Sequence, residues 1–203
     1  MYFKNNCYYF KNARFESGAC ITLNPTSYKV ENSYFTDTKG NQLSDHYAIS
    51  ANFSYTRDNS MVYSDLWGGS GGIAFNFLRN PSPTLSRPVS VTIRGENRVD
   101  AISMTYGDGT VLSNGGTGGT QKTLALDNDE YIIKAVIYKN TYKGSDRVFY
   151  LELTTNKNRV LENGVKSGTA LTLTAPAGTY IAGFFGRAEA NIDKIGAIYK
   201  ALE

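Results

Sequence analysis

Short apolar runs and alternating apolar and polar positions dominate the chain, and apolar residues at helical spacing are not sustained over a dozen residues anywhere. Such alternation is typical of β-strands with one buried face. Turn-forming residues separate the runs, for example at 107–109, 163–164 and 176–178. The predicted strands are 7–15, 27–35, 47–55, 89–93, 99–106, 131–138, 148–155, 170–174, 180–185 and 192–201. The chain is therefore predicted to be all-β.

Composition agrees with this prediction, because aromatic residues reach 13% and 20 of the 203 residues are glycine. A net charge of +3 without a basic run gives no electrostatic footprint for nucleic acid. We expect no transmembrane segment and no signal peptide, since apolar runs stay well short of the roughly 18 residues that a span needs. Cys7 and Cys20 are compatible with a disulfide closing a loop of about 14 residues and also with free thiols.

A boundary is predicted near residues 56–65, because Thr56–Ser60 is polar and lacks strand character. We divide the chain into residues 1–56, a linker at 57–65 and a domain at 66–203. About 140 residues make a comfortable domain, whereas fewer than about 60 are marginal for independent folding.

The second part contains three copies of a sequence repeat. The segments at 95–102, 144–151 and 188–195 each lead a polar loop into a strand, and glycine-rich loops at 67–72, 114–119 and 163–168 accompany them. One small sheet cannot bury its apolar face alone, so three such units predict three sheets around a shared axis. The expected fold is a prism of three four-stranded sheets with pseudo-threefold symmetry.

Residues 66–202 resemble the jacalin-related lectins of the β-prism type. The resemblance rests on an ordered set of motifs: the loops at 68–72 and 114–119, and the segments at 99–102, 130–132, 183–187 and 192–196. It implies a carbohydrate-binding domain whose partners are mono- or oligosaccharides and glycoconjugates. It implies no cofactor for this domain.

The family's essential carboxylate closes a short G-x-x-x-D loop, and Asp193 stands at that position. The resemblance implies a sugar site formed by Asp193 with the loop residues Glu189, Ala190 and Asn191, together with Gly68, Gly69, Ser145 and Asp146. Glu189 replaces the usual glycine. Asp193 is also compatible with a turn-capping aspartate bonded to its own loop.

The internal repeat implies a second site. Asp100 would supply the carboxylate, with Asn97 and Arg98 in the loop and Gly115 and Gly116 as amide donors. The alternative is that Arg98 simply pairs with Asp100. Phe149 replaces the carboxylate in the remaining repeat, so that face is not expected to bind sugar.

Two pairs of acidic residues invite a calcium interpretation, because Glu96 with Asp100 and Glu189 with Asp193 are each four residues apart. Calcium takes six to eight oxygen ligands. Further oxygen ligands are not evident from the nearby sequence, so no metal site is predicted.

The first part contains Ser44-Asp45-His46, followed by an alternating strand. This segment resembles the last strand of the endonuclease/exonuclease/phosphatase superfamily, which includes nucleases and sphingomyelinases. The resemblance implies a catalytic role for His46 with Asp45, here as a relic. Asn6 stands where that superfamily has the carboxylate that partners the histidine, and Mg would be required only in a complete parent enzyme.

The leading interpretation is a carbohydrate-binding module, non-catalytic in this chain, that targets an attached phosphodiesterase domain to glycans. The alternative is the C-terminal part of a Mg-dependent phosphodiesterase whose lectin domain is only structural. A purely structural interaction domain would follow if both candidate aspartates were bonded internally. Secretion is expected, and a homo-oligomer is compatible with the sequence.

Overall fold

The computed structural model describes residues 18–31, 37–41, 48–78 and 86–202. Within these ranges the chain forms fourteen β-strands and every sheet is antiparallel. The strands are β1 (Gly18–Glu31), β2 (Ala48–Tyr63), β3 (Trp67–Gly68), β4 (Ile73–Asn76), β5 (Pro88–Gly95), β6 (Val99–Tyr106), β7 (Val111–Gly115), β8 (Thr120–Ala125), β9 (Ile132–Tyr142), β10 (Ser145–Thr155), β11 (Val160–Gly164), β12 (Thr169–Thr174), β13 (Thr179–Ala188) and β14 (Ile192–Ala201).

Three four-stranded sheets make up the prism. One has the order β7-β6-β5-β8, the second β11-β10-β9-β12, and in the third β14 and β13 are flanked by β3 and β4. The prediction of an all-β fold with three four-stranded sheets is therefore confirmed. Within the described ranges, no helix is long and apolar enough to cross a membrane.

The core lies between the three sheets and consists of side chains that alternate inward along the long strands. Its largest fully buried members include Tyr106, Phe184, Ile102 and Leu151. The hydroxyl of Tyr106 donates a 2.9 Å hydrogen bond to the carbonyl of Ala182, which satisfies a polar atom deep in the core.

The strands β1 and β2 form a long hairpin that extends the third sheet, because Met61–Tyr63 of β2 pair with Ile198–Lys200 of β14. The prediction that Thr56–Ser60 lacks strand character is wrong, since these residues continue β2. Polar sequence forms a strand here because pairing with β1 fixes the backbone from outside the segment. Whether residues 1–56 belong to a separate domain stays a prediction.

Several strands follow their predicted bounds, and β6 and β14 match them at both ends. The short strands β3, β4, β7, β8 and β11 were missed. They are edge strands with mostly exposed or half-buried residues, such as β7 and β8. Without a buried face, they carry little of the apolar alternation from which strands were predicted.

Candidate functional site

One end of the prism carries three equivalent loop pairs, one from each repeat. In each pair a glycine-rich loop donates a backbone amide to the carbonyl of the position where a carboxylate is expected. These hydrogen bonds join Gly69 to Asp193 (2.7 Å), Gly116 to Asp100 (2.9 Å) and Val165 to Phe149 (2.8 Å). The threefold repetition in the sequence is therefore a threefold repetition of backbone geometry.

Glycine is required at the same position in each of these pairs. A Cβ atom at Gly68, Gly115 or Gly164 would lie 2.1–2.2 Å from the carbonyl oxygen of the facing strand, and all three residues have positive φ. No side chain fits such a close approach. This packing places Gly68 against Asp193 and Gly115 against Asp100, as the sequence predicted.

Asp193 is fully buried and its carboxylate is held by an arginine of the neighbouring repeat. The Arg147 Nη1 atom lies 2.5 Å from the Asp193 Oδ1 atom. Among the described residues, the buried Asp193 Oδ2 and Arg147 Nε atoms have no hydrogen-bond partner. Burial raises the pKa of the Asp193 carboxyl, and the positive charge of Arg147 offsets this only in part. The alternative interpretation was a turn-capping aspartate bonded to its own loop. The structure instead pairs the Asp193 carboxylate with Arg147.

The glycine-rich loop before β4 closes tightly around this carboxylate. A Cβ atom at Gly71 would lie 2.8 Å from Asp193 Oδ1, and one at Gly72 would lie 2.5 Å from Asp193 Oδ2. Arg187 holds the same loop by donating to the carbonyls of Gly71 and Gly72, at 2.9 and 2.7 Å. Asp193 is thus enclosed by glycine backbone on one side and by Arg147 on the other.

Asp100 has different partners, although its backbone setting is the same. Its Oδ1 atom accepts a hydrogen bond from the Asn191 side-chain amide. In the described part of the chain, no donor lies on the Asp100 Oδ2 atom. Arg98 does not pair with Asp100, which was the alternative interpretation. It donates from Nε to the Asn191 Oδ1 atom (3.0 Å) and its guanidinium stacks on Tyr142, 4.2 Å from the ring centroid.

A surface depression of about 470 Å³ opens at Asp100. It is lined by the loop Glu96–Arg98, by Gly116, Thr117, Gly118 and Gly119, and by Ala190 and Asn191. A sugar ring offers adjacent hydroxyls that donate to carboxylates and accept from amides. The depression provides both kinds of group.

Arg94 orients the glycine-rich loop of this depression. Its guanidinium donates to the carbonyls of Thr117 (2.9 Å), Gly118 (3.2 Å) and Gly119 (3.1 Å). Among the described residues, no acceptor lies on the amides of Thr117 and Gly118. The Thr117 carbonyl is turned toward Arg94, so the Gly118 amide of the same peptide unit points away from Arg94. This amide and that of Thr117 are therefore available as donors to a ligand.

The predicted site residues are distributed differently from the expectation. Ala190 and Asn191, expected at Asp193, line the Asp100 depression, while the Glu189 side chain is exposed. The amides of Gly69 and Gly116, expected to donate to sugar, are already used on backbone carbonyls.

Asp146 lies beside the Asp193 loop, as expected, because a Cβ atom at Gly69 would meet the Asp146 carbonyl. Its carboxylate accepts hydrogen bonds from the Lys139 ammonium (2.9 Å) and from the Thr141 hydroxyl (2.7 Å). These contacts lower the pKa of the Asp146 carboxyl. Ser145 is exposed. Asp45, His46 and Cys7, and the side chain of Cys20, lie outside the described residues.

Three arginines that organise the site were missed. Arg94 and Arg187 each directly precede a carboxylate loop, which is a repeated signal in the sequence. Arg147 occupies the same repeat position as Arg98, so both were visible in the alignment of the repeats. The partner of Arg147 lies 46 positions away, and only the packing of the sheets brings the two together.

Within the described ranges, no group of three or more acidic, histidine or cysteine side chains is placed to hold a metal ion.

Comparison with known proteins identifies the family of this chain. The model of the jacalin-like lectin domain matches residues 50–198. The chain belongs to the jacalin-like lectin family. Horcolin from Hordeum vulgare is 38% identical over 136 residues, which is 64% of this chain and 90% of horcolin.

Solved lectins of the family share the fold. A Malaysian banana lectin is 33% identical with a TM-score of 0.61, covering 69% of this chain and 98% of that chain. AcmJRL, a mannose-binding jacalin-related lectin from Ananas comosus, is 24% identical with a TM-score of 0.61 and covers 71% of this chain and 100% of that chain. Nothing in these comparisons supports an endonuclease or phosphatase domain in this jacalin-like lectin.

Proposed function

We propose that this jacalin-like lectin binds mannose or mannose-bearing glycans in the depression at Asp100. The observation that carries the proposal is the depression of about 470 Å³ at Asp100, which is lined by this residue and by the glycine-rich loop of Thr117 and Gly118. A carboxylate that accepts hydroxyl protons makes charge-assisted hydrogen bonds, which are the stronger kind. The ligand class is supported by the solved relatives, since AcmJRL binds mannose and artocarpin is seen with mannotriose.

The sequence predicted Asp193 as the sugar-binding carboxylate, whereas the proposal assigns this role to Asp100. Asp193 was the favoured residue, yet its Oδ1 atom is occupied by Arg147 and its side chain is 1% exposed. Asp100 is 8% exposed and opens onto the depression. Asn97, Arg98, Ala190 and Asn191 then form the walls of the sugar site.

A glycan array probed with wild type and with Asp100→Asn tests the proposal. We expect wild type to retain mannose-bearing glycans and the variant to lose affinity by more than tenfold, since hydrogen bonds to a charged group contribute about 1.5–3 kcal/mol each. Asp108→Asn is the matched control, because Asp108 lies in an exposed turn at the far end of β6. Equal binding by Asp100→Asn and wild type would contradict the assignment.

A second function, a structural interaction module, is favoured by one observation. Both candidate carboxylates have partners inside the chain, Arg147 for Asp193 and Asn191 for Asp100. If wild type retained no glycan at millimolar concentration, this interpretation would replace the first.

The targeting of an attached phosphodiesterase stays a prediction, as do secretion and self-association. We expect this chain alone to hydrolyse no phosphodiester, because such catalysis needs a metal, a positioned water and a base together. His46 and Asp45 supply one part of that set. Incubation with Mg²⁺ and sphingomyelin or double-stranded DNA checks this. Turnover that disappears in His46→Ala would overturn it.

A further inference from the structure

Arg147 covers one oxygen of the Asp193 carboxylate. Its Nη1 atom is 2.5 Å from Asp193 Oδ1, while its side chain remains 26% exposed and so reaches the site from the surface. The other carboxylate oxygen faces the loop at Gly72. The approach that is open at Asp100 is therefore filled by a guanidinium at Asp193.

The ion pair is incomplete, which distinguishes it from a purely structural one. An arginine fork commonly meets a carboxylate through two parallel hydrogen bonds. Here both the Arg147 Nε and the Asp193 Oδ2 atoms are buried and have no partner in the part of the chain that the structure describes. Buried polar atoms without partners disfavour the arrangement that contains them. A ligand hydroxyl that reached Asp193 would supply a missing hydrogen bond.

The equivalent contact occurs in two of the three repeats. Arg98, Arg147 and Asn191 occupy equivalent positions in the repeats. Asn191 donates to Asp100 and Arg147 donates to Asp193, whereas Phe149 gives Arg98 no carboxylate to meet. The short, neutral asparagine leaves a depression at Asp100. The long, charged arginine fills the equivalent space at Asp193.

We propose that Arg147 is a gate that closes the Asp193 site to sugar, leaving the Asp100 depression as the working site of the wild-type chain. This inference rests on the proposed function. It assigns Arg147 a positioning role, since the residue controls access to the carboxylate. Removing the arginine should convert a lectin with one site into a lectin with two.

Calorimetric titration with methyl α-mannoside, in a set of variants, tests the gate. Wild type should bind one sugar per chain and Arg147→Ala two. The single variant Asp100→Asn should lose binding. Adding Arg147→Ala to it should restore binding, with an affinity at least tenfold higher than that of Asp100→Asn alone. A third change, Asp193→Asn, should abolish the regained binding. Arg159→Ala is the matched control, because Arg159 also pairs with a fully buried carboxylate, Glu130, but at the far end of the prism.

The outcomes separate the gate from the proposed function. One sugar per chain in both wild type and Arg147→Ala overturns the gate and leaves the function standing. Two sugars in wild type also overturn the gate. No binding in wild type, with Asp193-dependent binding in Arg147→Ala, overturns the Asp100 assignment and supports the gate. No binding in either protein overturns both.

Nuclear magnetic resonance on wild type keeps the gate testable if Arg147→Ala fails to fold. With saturating methyl α-mannoside, the amide signals of Thr117 and Gly118 should shift while those of Gly71 and Gly72 stay in place. Shifts at Gly71 and Gly72 in wild type would overturn the gate.

Discussion

The Asp100 and Asp193 loops are built on the same backbone and differ in the residue that meets each carboxylate. Both aspartates face a positive-φ glycine and a loop held by an arginine, Arg94 in one case and Arg187 in the other. Asp100 meets a neutral amide and lines the depression, whereas Asp193 meets a guanidinium and is fully buried. The comparison shows that the loop motif supplies the shape of a sugar site, while one side chain from the neighbouring repeat decides whether it is open.

The largest expected difference between the two loops is in stability. Asp193→Ala should lower the free energy of unfolding by about 3 kcal/mol, because removing one partner of a buried ion pair leaves the other charge uncompensated. We take the low end of the usual range since the Arg147 side chain is 26% exposed. Asp100→Ala should cost about 1–2 kcal/mol, the loss of one hydrogen bond to a charged group. Urea unfolding measures both, and equal losses would remove the distinction between the sites.

For ligand affinity, a change in the Asp100 loop should have a larger effect than one in the Asp193 loop. One glycine in each loop allows a matched test. A Cβ atom at Gly118 would lie 3.1 Å from Asp100 Oδ2, inside the depression, so Gly118→Ala should weaken methyl α-mannoside binding by about tenfold with a small effect on folding. A Cβ atom at Gly71 would lie 2.8 Å from Asp193 Oδ1. Gly71→Ala should cost about 1–3 kcal/mol of stability and leave the affinity unchanged. An affinity loss confined to Gly71→Ala would place the sugar at Asp193 instead.

The smallest expected effect is on the pH dependence of stability. Burial raises the pKa of the Asp193 carboxyl in the folded chain. A carboxyl with a raised folded pKa adds stability at a pH below its unfolded pKa, and this addition is lost as the pH rises through the folded pKa. Asp193→Asn cannot titrate, so it should gain stability relative to wild type as the pH rises from about 3 to about 6.

Urea unfolding of both proteins across this range measures the difference. The other carboxyls with shifted pKa values, such as Asp129, Asp146 and Glu152, are common to both and cancel. Parallel stability curves would show that Asp193 titrates as it does in the unfolded chain.

The sequence predicts those parts of the fold whose residues repeat. The strands β6 and β14 were predicted at both ends because they carry regularly spaced apolar residues between clear turn residues. The resemblance to the jacalin-related lectins implied that Asp193 lies beside Gly68. The internal repeat then implied the equivalent pairing of Asp100 with Gly115, because a repeated sequence is packed in a repeated geometry.

The open or closed state of each site was not predictable, because it depends on contacts between repeats. Arg147 and Asp193 are 46 positions apart, and Asn191 and Asp100 are 91 apart. The residues next to Asp193 in the sequence do not predict its contact with an arginine. The edge strand β7 was missed for a related reason, since its pairing with β6 fixes its conformation and its own residues are exposed or half-buried.

A crystal structure of the wild-type chain with methyl α-mannoside tests the account most directly. We predict one sugar in the depression, with hydroxyls bonded to Asp100 Oδ2 and to the amides of Thr117 and Gly118, and an intact Arg147–Asp193 ion pair. A sugar bonded to Asp193, with Arg147 turned away and the Asp100 depression empty, would contradict it.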